Sequence, residues 1–135
     1  IIVGFPGETE EEFLDTLDVV EKVKFDQIYM FIYSKRNGTV AATMEDKISY
    51  EEKVERLERL KNLYEGYLPE NNKNMIGKIY KVLVEGKSKN NDNLYTGRTS
   101  QNKVVVFEGS EDMVGKIKNI KITSEHLWYL KGEIV

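Results

Sequence analysis

The spacing of apolar residues changes near residue 67, and this change constrains the fold more than any other feature. Before it, apolar residues at helical spacing alternate with two runs that are apolar on both faces, as in parallel strands covered by helices. After it, apolar and polar residues alternate singly, which is the period of a half-buried strand. We therefore predict an α/β part over residues 1–66 and an all-β part over residues 67–135.

The α/β part is predicted to run strand, helix, strand, helix. Apolar runs at 1–3 and 27–33 are the strands, and capping-box sequences at 9–12 and 49–52 begin the helices. Two parallel strands leave apolar edges, so we expect the run at 27–33 to pair with a second copy of the chain or with the rest of a larger sheet. The chain also begins directly on a strand and without Met, which we interpret as a cut inside a longer protein.

The second helix is predicted to bury an apolar stripe and to end at Gly66 and Pro69, before a linker at 66–75. The stripe consists of Val54, Leu57, Leu60 and Tyr64. We place the ion pairs Glu52–Arg56 and Glu55–Arg59 on the solvent-facing side, where each pair stabilises the helix by about 0.2–0.5 kcal/mol.

The all-β part contains five predicted strands and a polar hairpin loop at 87–93. The strands are 78–85, 94–100, 103–107, 116–123 and 127–135. Five short strands in this length indicate a small barrel of the oligonucleotide-binding type. We expect His126 to lie at the surface, and the single tryptophan, Trp128, to serve packing.

The composition excludes several classes of protein. With 40% hydrophobic and 32% charged residues, the 135-residue chain is typical of a soluble globular protein. The absence of cysteine excludes a disulfide scaffold, a thiol nucleophile and thiolate ligands, and the single histidine excludes a multi-histidine metal site. No apolar run is long enough to span a membrane and no leader is present, so we expect a cytoplasmic protein without a membrane partner.

Charge is distributed unequally between the two parts. Residues 1–66 carry 15 acidic and 9 basic side chains, a net charge of −6, whereas residues 67–135 carry 8 acidic and 11 basic ones, a net charge of +3. A basic strip on the all-β part is a candidate for contacts with RNA phosphates, and Tyr95 offers a ring for stacking. The strip consists of Lys87, Lys89, Arg98, Lys103, Lys116, Lys118 and Lys131. Exposed lysines also protect strand edges from aggregation, so charge alone leaves both roles open.

The loop at 4–8, with the sequence GFPGE, is the candidate ligand site of the α/β part. It lies between the end of a strand and the start of a helix, where α/β folds usually bind ligands. Its glycines permit close approach to the backbone, and the helix start offers free N–H groups to an anion. A plain tight turn explains the same residues, and the glycine-rich fingerprints of nucleotide-binding loops are absent.

Several short motifs follow one another along the chain. They include IIVGFPGET at 1–9, FIYS at 31–34, VEG at 84–86, GRT at 97–99, FEG at 107–109 and LKG at 130–132. In this order they resemble the C-terminal region of the tRNA methylthiotransferases, and the resemblance covers essentially the whole chain. GRT with FEG resembles the branch that acts on isopentenylated adenosine beside the anticodon. Val106, Lys35 and Lys131 depart from that branch, so sister branches acting on threonylcarbamoyladenosine or on a ribosomal protein stay open.

The resemblance implies an α/β plus all-β fold: the C-terminal βαβα portion of a radical SAM TIM-like barrel over 1–66, then a small five-stranded antiparallel TRAM β-barrel over 67–135. The full-length enzymes of this family use S-adenosylmethionine and two 4Fe-4S clusters to add a methylthio group to a tRNA base. Their cluster-ligating cysteines have no counterpart here. We therefore expect this chain to hold no cofactor and to be inactive alone.

The resemblance also implies roles for individual residues. The S-adenosylmethionine side would comprise Gly4, Phe5, Pro6, Gly7 and Glu8. Arg36 and Thr39 would border the substrate entrance, although a solvated loop accounts for them equally well. Glu8 has the alternative role of stabilising only the helix dipole. The TRAM resemblance favours binding of the tRNA anticodon stem-loop by the basic strip, with Arg98 as the first candidate because its planar guanidinium suits phosphates and base edges.

Two further functions remain as alternatives. In the first, the chain is a stand-alone RNA-binding or assembly module. In the second, the all-β part packs on its own catalytic domain and touches no RNA.

Overall fold

The computed structural model describes residues 1–89 and 91–135, without the side chains of residues 91 and 92. It divides into two compact units, Ile1–Gly66 and Tyr67–Val135, which are described separately below. Within the described part of the chain, no helix has the length and apolar character needed to cross a membrane.

The first unit contains two short strands, one complete long helix and most of a second, whose last turns belong to the second unit. In chain order the elements are β1 (Ile2–Val3), α1 (Glu10–Val23), β2 (Phe31–Ile32), a 3-10 helix (Val40–Thr43) and α2 (Tyr50–Lys73). The two strands are parallel, with Ile2 opposite Phe31 and Val3 opposite Ile32. The predicted strand at 27–33 is therefore much shorter, because only two of its residues find a partner strand.

The predicted capping box at the start of α1 is confirmed. The Glu12 N–H donates to Thr9 Oγ1 at 3.2 Å, and the Thr9 N–H donates to Glu12 Oε2 at 2.8 Å. The helix buries Phe13 and Val20 and ends at Lys24, which has a left-handed φ of 52°.

The predicted end of α2 is wrong, because the helix continues through Gly66 and Pro69 to Lys73. Its start is as expected, with the Glu52 N–H donating to Ser49 Oγ at 3.1 Å. Beyond Gly66, the helix buries Tyr67, Leu68 and Asn72. Burial of these side chains outweighs the local cost of glycine and proline, as tertiary packing commonly does in helices.

The second unit is built on a closed five-stranded barrel. Its strands are β3 (Ile79–Ser88), β4 (Asn91–Thr99), β5 (Val104–Glu108), β6 (Ile117–Glu125) and β7 (Leu130–Ile134). A second 3-10 helix, Glu111–Met113, lies between β5 and β6. The predicted hairpin loop at 87–93 is shorter in the structure, since β3 and β4 extend into it, and residue 90 of that loop lies outside the described residues.

The barrel is mixed, which corrects the predicted antiparallel arrangement. The strand order is β3-β4-β5-β7-β6, and β5 pairs with β7 in parallel, with Val105 opposite Leu130. The physical reason is one of parity. Neighbouring strands in a closed ring cannot all alternate in direction when their number is odd, so at least one pair must be parallel.

The barrel core follows the predicted alternation of apolar residues. Its buried members include Val82, Val84, Tyr95, Val105, Phe107, Ile120, Ile122 and Leu130. Two inward positions are glycines because the neighbouring strand lies too close for a side chain. A Cβ at Gly97 would collide with the Leu83 backbone, and one at Gly132 with Ile120.

Candidate functional site

The loop at 4–8 is fixed by its own acidic residue. The Gly4 N–H donates to Glu8 Oε1 at 2.9 Å, and the Glu8 N–H donates to the Phe5 carbonyl at 2.9 Å. Gly4 and Gly7 have φ values of 71° and 89°, in the region that favours glycine. A Cβ at Gly4 would also collide with the Lys53 side chain, so this position requires glycine for space as well as conformation.

Arg56 is buried, which corrects its predicted place on the solvent-facing side of α2. Its side chain is 3% exposed and donates from Nη1 to Glu8 Oε1 and from Nη2 to Glu52 Oε1, both at 2.7 Å. Nη1 also donates to the Glu8 carbonyl at 3.0 Å. A buried charge is stable only with such partners. The Glu8 carboxylate, predicted to face a cofactor, therefore already accepts from Gly4 and Arg56.

Lys53 forms a second buried cation one turn earlier on α2. Its ammonium donates to Asp46 Oδ2 and lies 5.4 Å from the centroid of the Tyr33 ring. The hydrogen bond from Lys53 holds the pKa of Asp46 below its ordinary value of 3.8. The buried face of α2 therefore begins with Lys53 and Arg56, whereas Val54 and Leu57 of the predicted stripe are only half-buried.

A cavity of about 560 Å³ brings together residues from both predicted sites of the first unit. Phe5 from the cofactor-side loop lines it together with Arg36 and Thr39 from the predicted substrate entrance. Thr39 is held in place because its Oγ1 donates to the Arg36 carbonyl at 2.8 Å and accepts from the Ala42 N–H at 3.2 Å.

Tyr33 also lines this cavity, and residue-by-residue reasoning did not single it out. Its ring meets Phe5 edge-on, with centroids 5.3 Å apart. Among the residues that the structure describes, the Tyr33 hydroxyl is a buried group without a hydrogen-bond partner.

The cofactors implied by the family differ in how they fit these residues. The 135 residues include no cysteine, so no side chain of this chain can hold an iron–sulfur cluster through a thiolate. The described residues likewise contain no group of three or more His, Asp or Glu side chains arranged to hold a metal ion. An organic ligand fits the cavity better, since Phe5 and Tyr33 offer aromatic rings and Arg36 offers a cation. Pro6, also predicted on the cofactor side, is buried.

On the barrel, the predicted basic strip does not form one surface. Lys87 and Lys116 are exposed and lie beside the second 3-10 helix, where their ammonium groups are 3.8 Å from Glu111 Oε2 and 3.9 Å from Asp112 Oδ2. The Ser110 hydroxyl, with a smaller contribution from Lys116, lowers the pKa of Asp112. These two lysines are therefore partly neutralised by acidic neighbours.

The other cations of the strip, apart from Lys103, lie elsewhere on the barrel. Arg98, on β4, is half-buried and donates from Nη1 to Asn102 Oδ1 at 3.0 Å. Its Nε lies 3.3 Å from Glu85 Oε1. Lys131 is exposed on β7, Lys89 is exposed in the turn after β3, and Lys118 is half-buried on β6.

Two residues of the predicted RNA surface are buried, and this corrects their assignment. Lys103 is 5% exposed, and its ammonium donates to Asn72 Oδ1 at 2.7 Å. Tyr95 is 4% exposed, packs in the barrel core, and donates from its hydroxyl to Glu111 Oε2 at 3.3 Å. Burial raises the pKa of the Tyr95 hydroxyl. Neither side chain is presented to a ligand outside the barrel.

Trp128 differs from its prediction in the opposite sense, because it is 55% exposed rather than packed in the core. His126, expected at the surface, is half-buried and stacks on Tyr129 with centroids 4.4 Å apart.

Comparison with known proteins follows the division of the chain. The family model of the TRAM domain matches residues 73–135. The whole chain is 53% identical to tRNA-2-methylthio-N(6)-dimethylallyladenosine synthase of Acetivibrio thermocellus and 55% identical to that of Thermoanaerobacter sp.. Residues 73–135 therefore carry a TRAM domain, and the chain over its whole length is similar to part of these tRNA methylthiotransferases. The enzyme of Carboxydothermus hydrogenoformans is 51% identical over the same 135 residues.

Each of these alignments covers the whole of this chain. It covers only 28%, 29% and 31%, respectively, of the length of the three relatives. The chain thus spans less than a third of the length of the curated relatives it matches. The resemblance read from the motifs is confirmed at the level of the family and its TRAM domain. Radical SAM and iron–sulfur chemistry belong to the family, although no cluster ligand lies in this chain.

Proposed function

We propose that this chain acts as the C-terminal part of an enzyme that adds a methylthio group to isopentenylated adenosine beside the tRNA anticodon. The proposal rests on the similarity of the chain to relatives named for this reaction. Over all 135 residues the chain is 51–55% identical to them. Without cysteine, the chain alone is inactive, because the iron–sulfur clusters must be held elsewhere. The setting is the cytoplasm, where tRNA is modified.

The first unit is proposed to complete a radical SAM barrel. Exposed apolar side chains support this role, since Ile2 is 56%, Tyr29 is 54% and Phe31 is 59% exposed. Such patches indicate a surface that another part of a protein covers. The cavity lined by Phe5, Tyr33 and Arg36 is then the side that faces S-adenosylmethionine and the substrate base. Glu8 positions the loop at 4–8 and does not bind the cofactor.

The barrel is proposed to bind the anticodon stem-loop through its exposed cations. Arg98 and Lys131 are the principal residues, and Lys87, Lys89, Lys116 and Lys118 contribute charge. Phosphate contacts act mainly by releasing counterions, so affinity falls as salt rises. Lys103 and Tyr95 are omitted because both are buried.

A chimera tests the proposed reaction. Residues 1–135 replace the matching region of the Acetivibrio thermocellus enzyme, and the methylthio content of tRNA is measured by mass spectrometry in a host that lacks the activity. We expect methylthiolated isopentenyladenosine. A folded, cluster-loaded chimera that yields none contradicts the proposal. A product on threonylcarbamoyladenosine instead assigns the chain to a sister branch.

Anisotropy measurements with a labelled anticodon stem-loop test RNA binding by the chain itself. We expect salt-sensitive binding that Arg98→Glu weakens and that Lys81→Glu, an exposed lysine on β3, changes less. Lost stability with unchanged affinity in Arg98→Glu favours the alternative in which the barrel packs on its own catalytic domain.

Self-association through the run at 27–33 remains part of the proposal. The exposed Phe31 side chain on β2 is the contact most open to a second copy. Sedimentation at high concentration should show dimers that Phe31→Lys abolishes. A monomeric mass for the unmodified chain contradicts this contact.

A further inference from the structure

The outer face of the barrel carries a groove of about 360 Å³ that the sequence did not indicate. Leu94, Val104 and Val106 form its apolar walls, Trp128 lies on one side, and Lys131 lines it as well. The indole of Trp128 is 55% exposed, which is unusual for the largest apolar side chain of a small domain. The volume lies at the lower end of the range of about 300–1,000 Å³ for ligand pockets.

The pairing of the strands places a second cation, Arg98, next to the apolar residues of this groove. Val105 and Phe107 are buried in the core, so Val104 and Val106 point outward from β5. Arg98 of β4 lies directly opposite Val104, and Lys131 of β7 lies directly opposite Val106. The outer face therefore presents an apolar strip with one basic residue on either side.

The backbone just before Trp128 is held by hydrogen bonds from a buried side chain. Asn72, 1% exposed, donates from Nδ2 to the carbonyls of His126 at 3.0 Å and Leu127 at 3.3 Å. Its Oδ1 accepts from the Lys103 ammonium. This arrangement restricts the backbone immediately before the indole, and a stacking platform gains affinity when it is held in place before binding.

We propose that this groove, the Trp128 groove, binds an unpaired nucleobase of RNA, stacked on the indole. Lys131 then neutralises the adjoining phosphate and Arg98 the next part of the backbone. Bases stack on aromatic side chains irrespective of sequence, and flanking cations follow the phosphates. The proposal rests on the proposed RNA binding by the barrel and assigns it a base-binding position.

The charges around the groove restrict where the phosphates of a bound RNA can lie. The only charged residue among those lining the groove is Lys131. An adjacent cavity on the same face adds Glu108 and Glu133, which repel phosphate. We therefore expect the phosphates beside Lys131 and Arg98, away from Glu108 and Glu133, and the base on Trp128.

The single tryptophan makes the test direct, because its fluorescence reports on the groove alone. The full 135-residue chain is titrated with a short oligouridine and, separately, with an abasic ribose-phosphate oligomer of equal charge. We expect the oligouridine to quench Trp128 fluorescence and the abasic oligomer to bind more weakly without quenching. Anisotropy of labelled oligouridine measures affinity independently of the indole.

Variants separate stacking from charge and from folding. Trp128→Ala should weaken oligouridine binding by about 5-fold to 150-fold, the range for loss of one stacked base, while Trp128→Phe should retain most of it. Ile79→Ala, an exposed apolar residue of β3 outside the groove, is the matched control and should change affinity little. The effect of Trp128→Ala should vanish with the abasic oligomer.

The outcomes distinguish this proposal from the one on which it rests. Oligouridine binding that neither quenches Trp128 nor weakens in Trp128→Ala overturns the groove and leaves RNA binding by the barrel intact. Unchanged affinity with a lowered melting temperature in Trp128→Ala also overturns it and marks a packing surface. Absence of binding by the unmodified chain overturns both proposals.

Discussion

The two units distribute charge and apolar surface in opposite ways. The first unit buries Arg56 and Lys53 while leaving Ile2 and Phe31 exposed. The barrel buries a contiguous apolar core and carries most of its charges outside, with Lys103 as its buried exception. A closed barrel has no free strand edge and can satisfy its core alone, whereas a two-stranded sheet cannot. The comparison shows that the barrel buries its apolar side chains within a closed ring, whereas the first unit leaves several of them exposed.

Replacing the same residue type in each unit tests this contrast and should give the largest effects. Phe107→Ala in the barrel should cost about 3–5 kcal/mol, the usual loss for a buried phenylalanine. Phe13→Ala should cost less, because the Arg56 and Arg59 side chains lie over the ring and can move into the space that it leaves. Denaturant unfolding measures both, with Trp128 fluorescence reporting on the barrel and helical circular dichroism on the first unit. Equal losses contradict the contrast, and Phe31→Ala is the exposed control.

Replacing the buried guanidinium of Arg56 should give the second-largest loss of stability. Arg56→Met should destabilise the first unit by about 3 kcal/mol, because it leaves the Glu8 carboxylate without its strongest donor in a largely buried place. Arg59→Met is the matched control: its side chain is 34% exposed, and its ion pair with Glu10 should contribute less than about 1 kcal/mol. Helical circular dichroism in urea measures both variants. Similar losses in the two variants show that burial of Arg56 does not matter to stability.

Asn72→Ala should destabilise the barrel by about 1–3 kcal/mol, the cost of leaving buried polar groups unsatisfied. It removes an acceptor of the Lys103 ammonium and the donor to the segment before Trp128. Adding Lys103→Met should recover part of the loss, since the buried charge is then gone. Thermal unfolding of the single and double variants measures this recovery. No recovery shows that the contacts to the His126 segment carry the whole effect.

The ion pair of Lys53 with Asp46 should give the smallest effect, below about 1 kcal/mol, because Asp46 is partly open to solvent. The pKa of Asp46 is lower in the folded state than its ordinary value of 3.8. Its contribution is therefore present above that value and is lost as the pH falls through the lowered folded-state pKa. The difference in unfolding free energy between the unmodified chain and Asp46→Asn should shrink over that interval. A constant difference contradicts the assignment.

Local signals predicted the parts of the fold that depend on neighbours in sequence. The Thr9–Glu12 capping box and the strand alternation are examples, since a few adjacent residues determine each. The end of α2 could not be found in this way, because Gly66 and Pro69 are local signals that burial of Leu68 overrides. A closed ring of five strands requires at least one parallel pair by parity alone, but parity does not identify β5 and β7 as that pair.

The candidate sites were harder to predict because burial, not residue type, decides which charges meet a ligand. Arg56 and Arg59 look alike in sequence, yet only Arg56 is enclosed by the loop at 4–8. Lys103 belongs to the same basic run as Arg98 but faces Asn72 inside the second unit. Trp128 could not be assigned to the outside without knowing which face of the barrel it joins.

We expect the barrel to open first at the parallel ladder between β5 and β7. It is the shortest ladder of the ring, and β7 is the last strand of the chain. A ring can be unzipped at any ladder, and the shortest one offers the least resistance to local fluctuation. The Trp128 groove lies across this ladder, with Val106 on one strand and Lys131 on the other. A ligand that contacts both strands would stabilise this ladder, so we expect binding in the groove to be thermodynamically linked to closure of the ring.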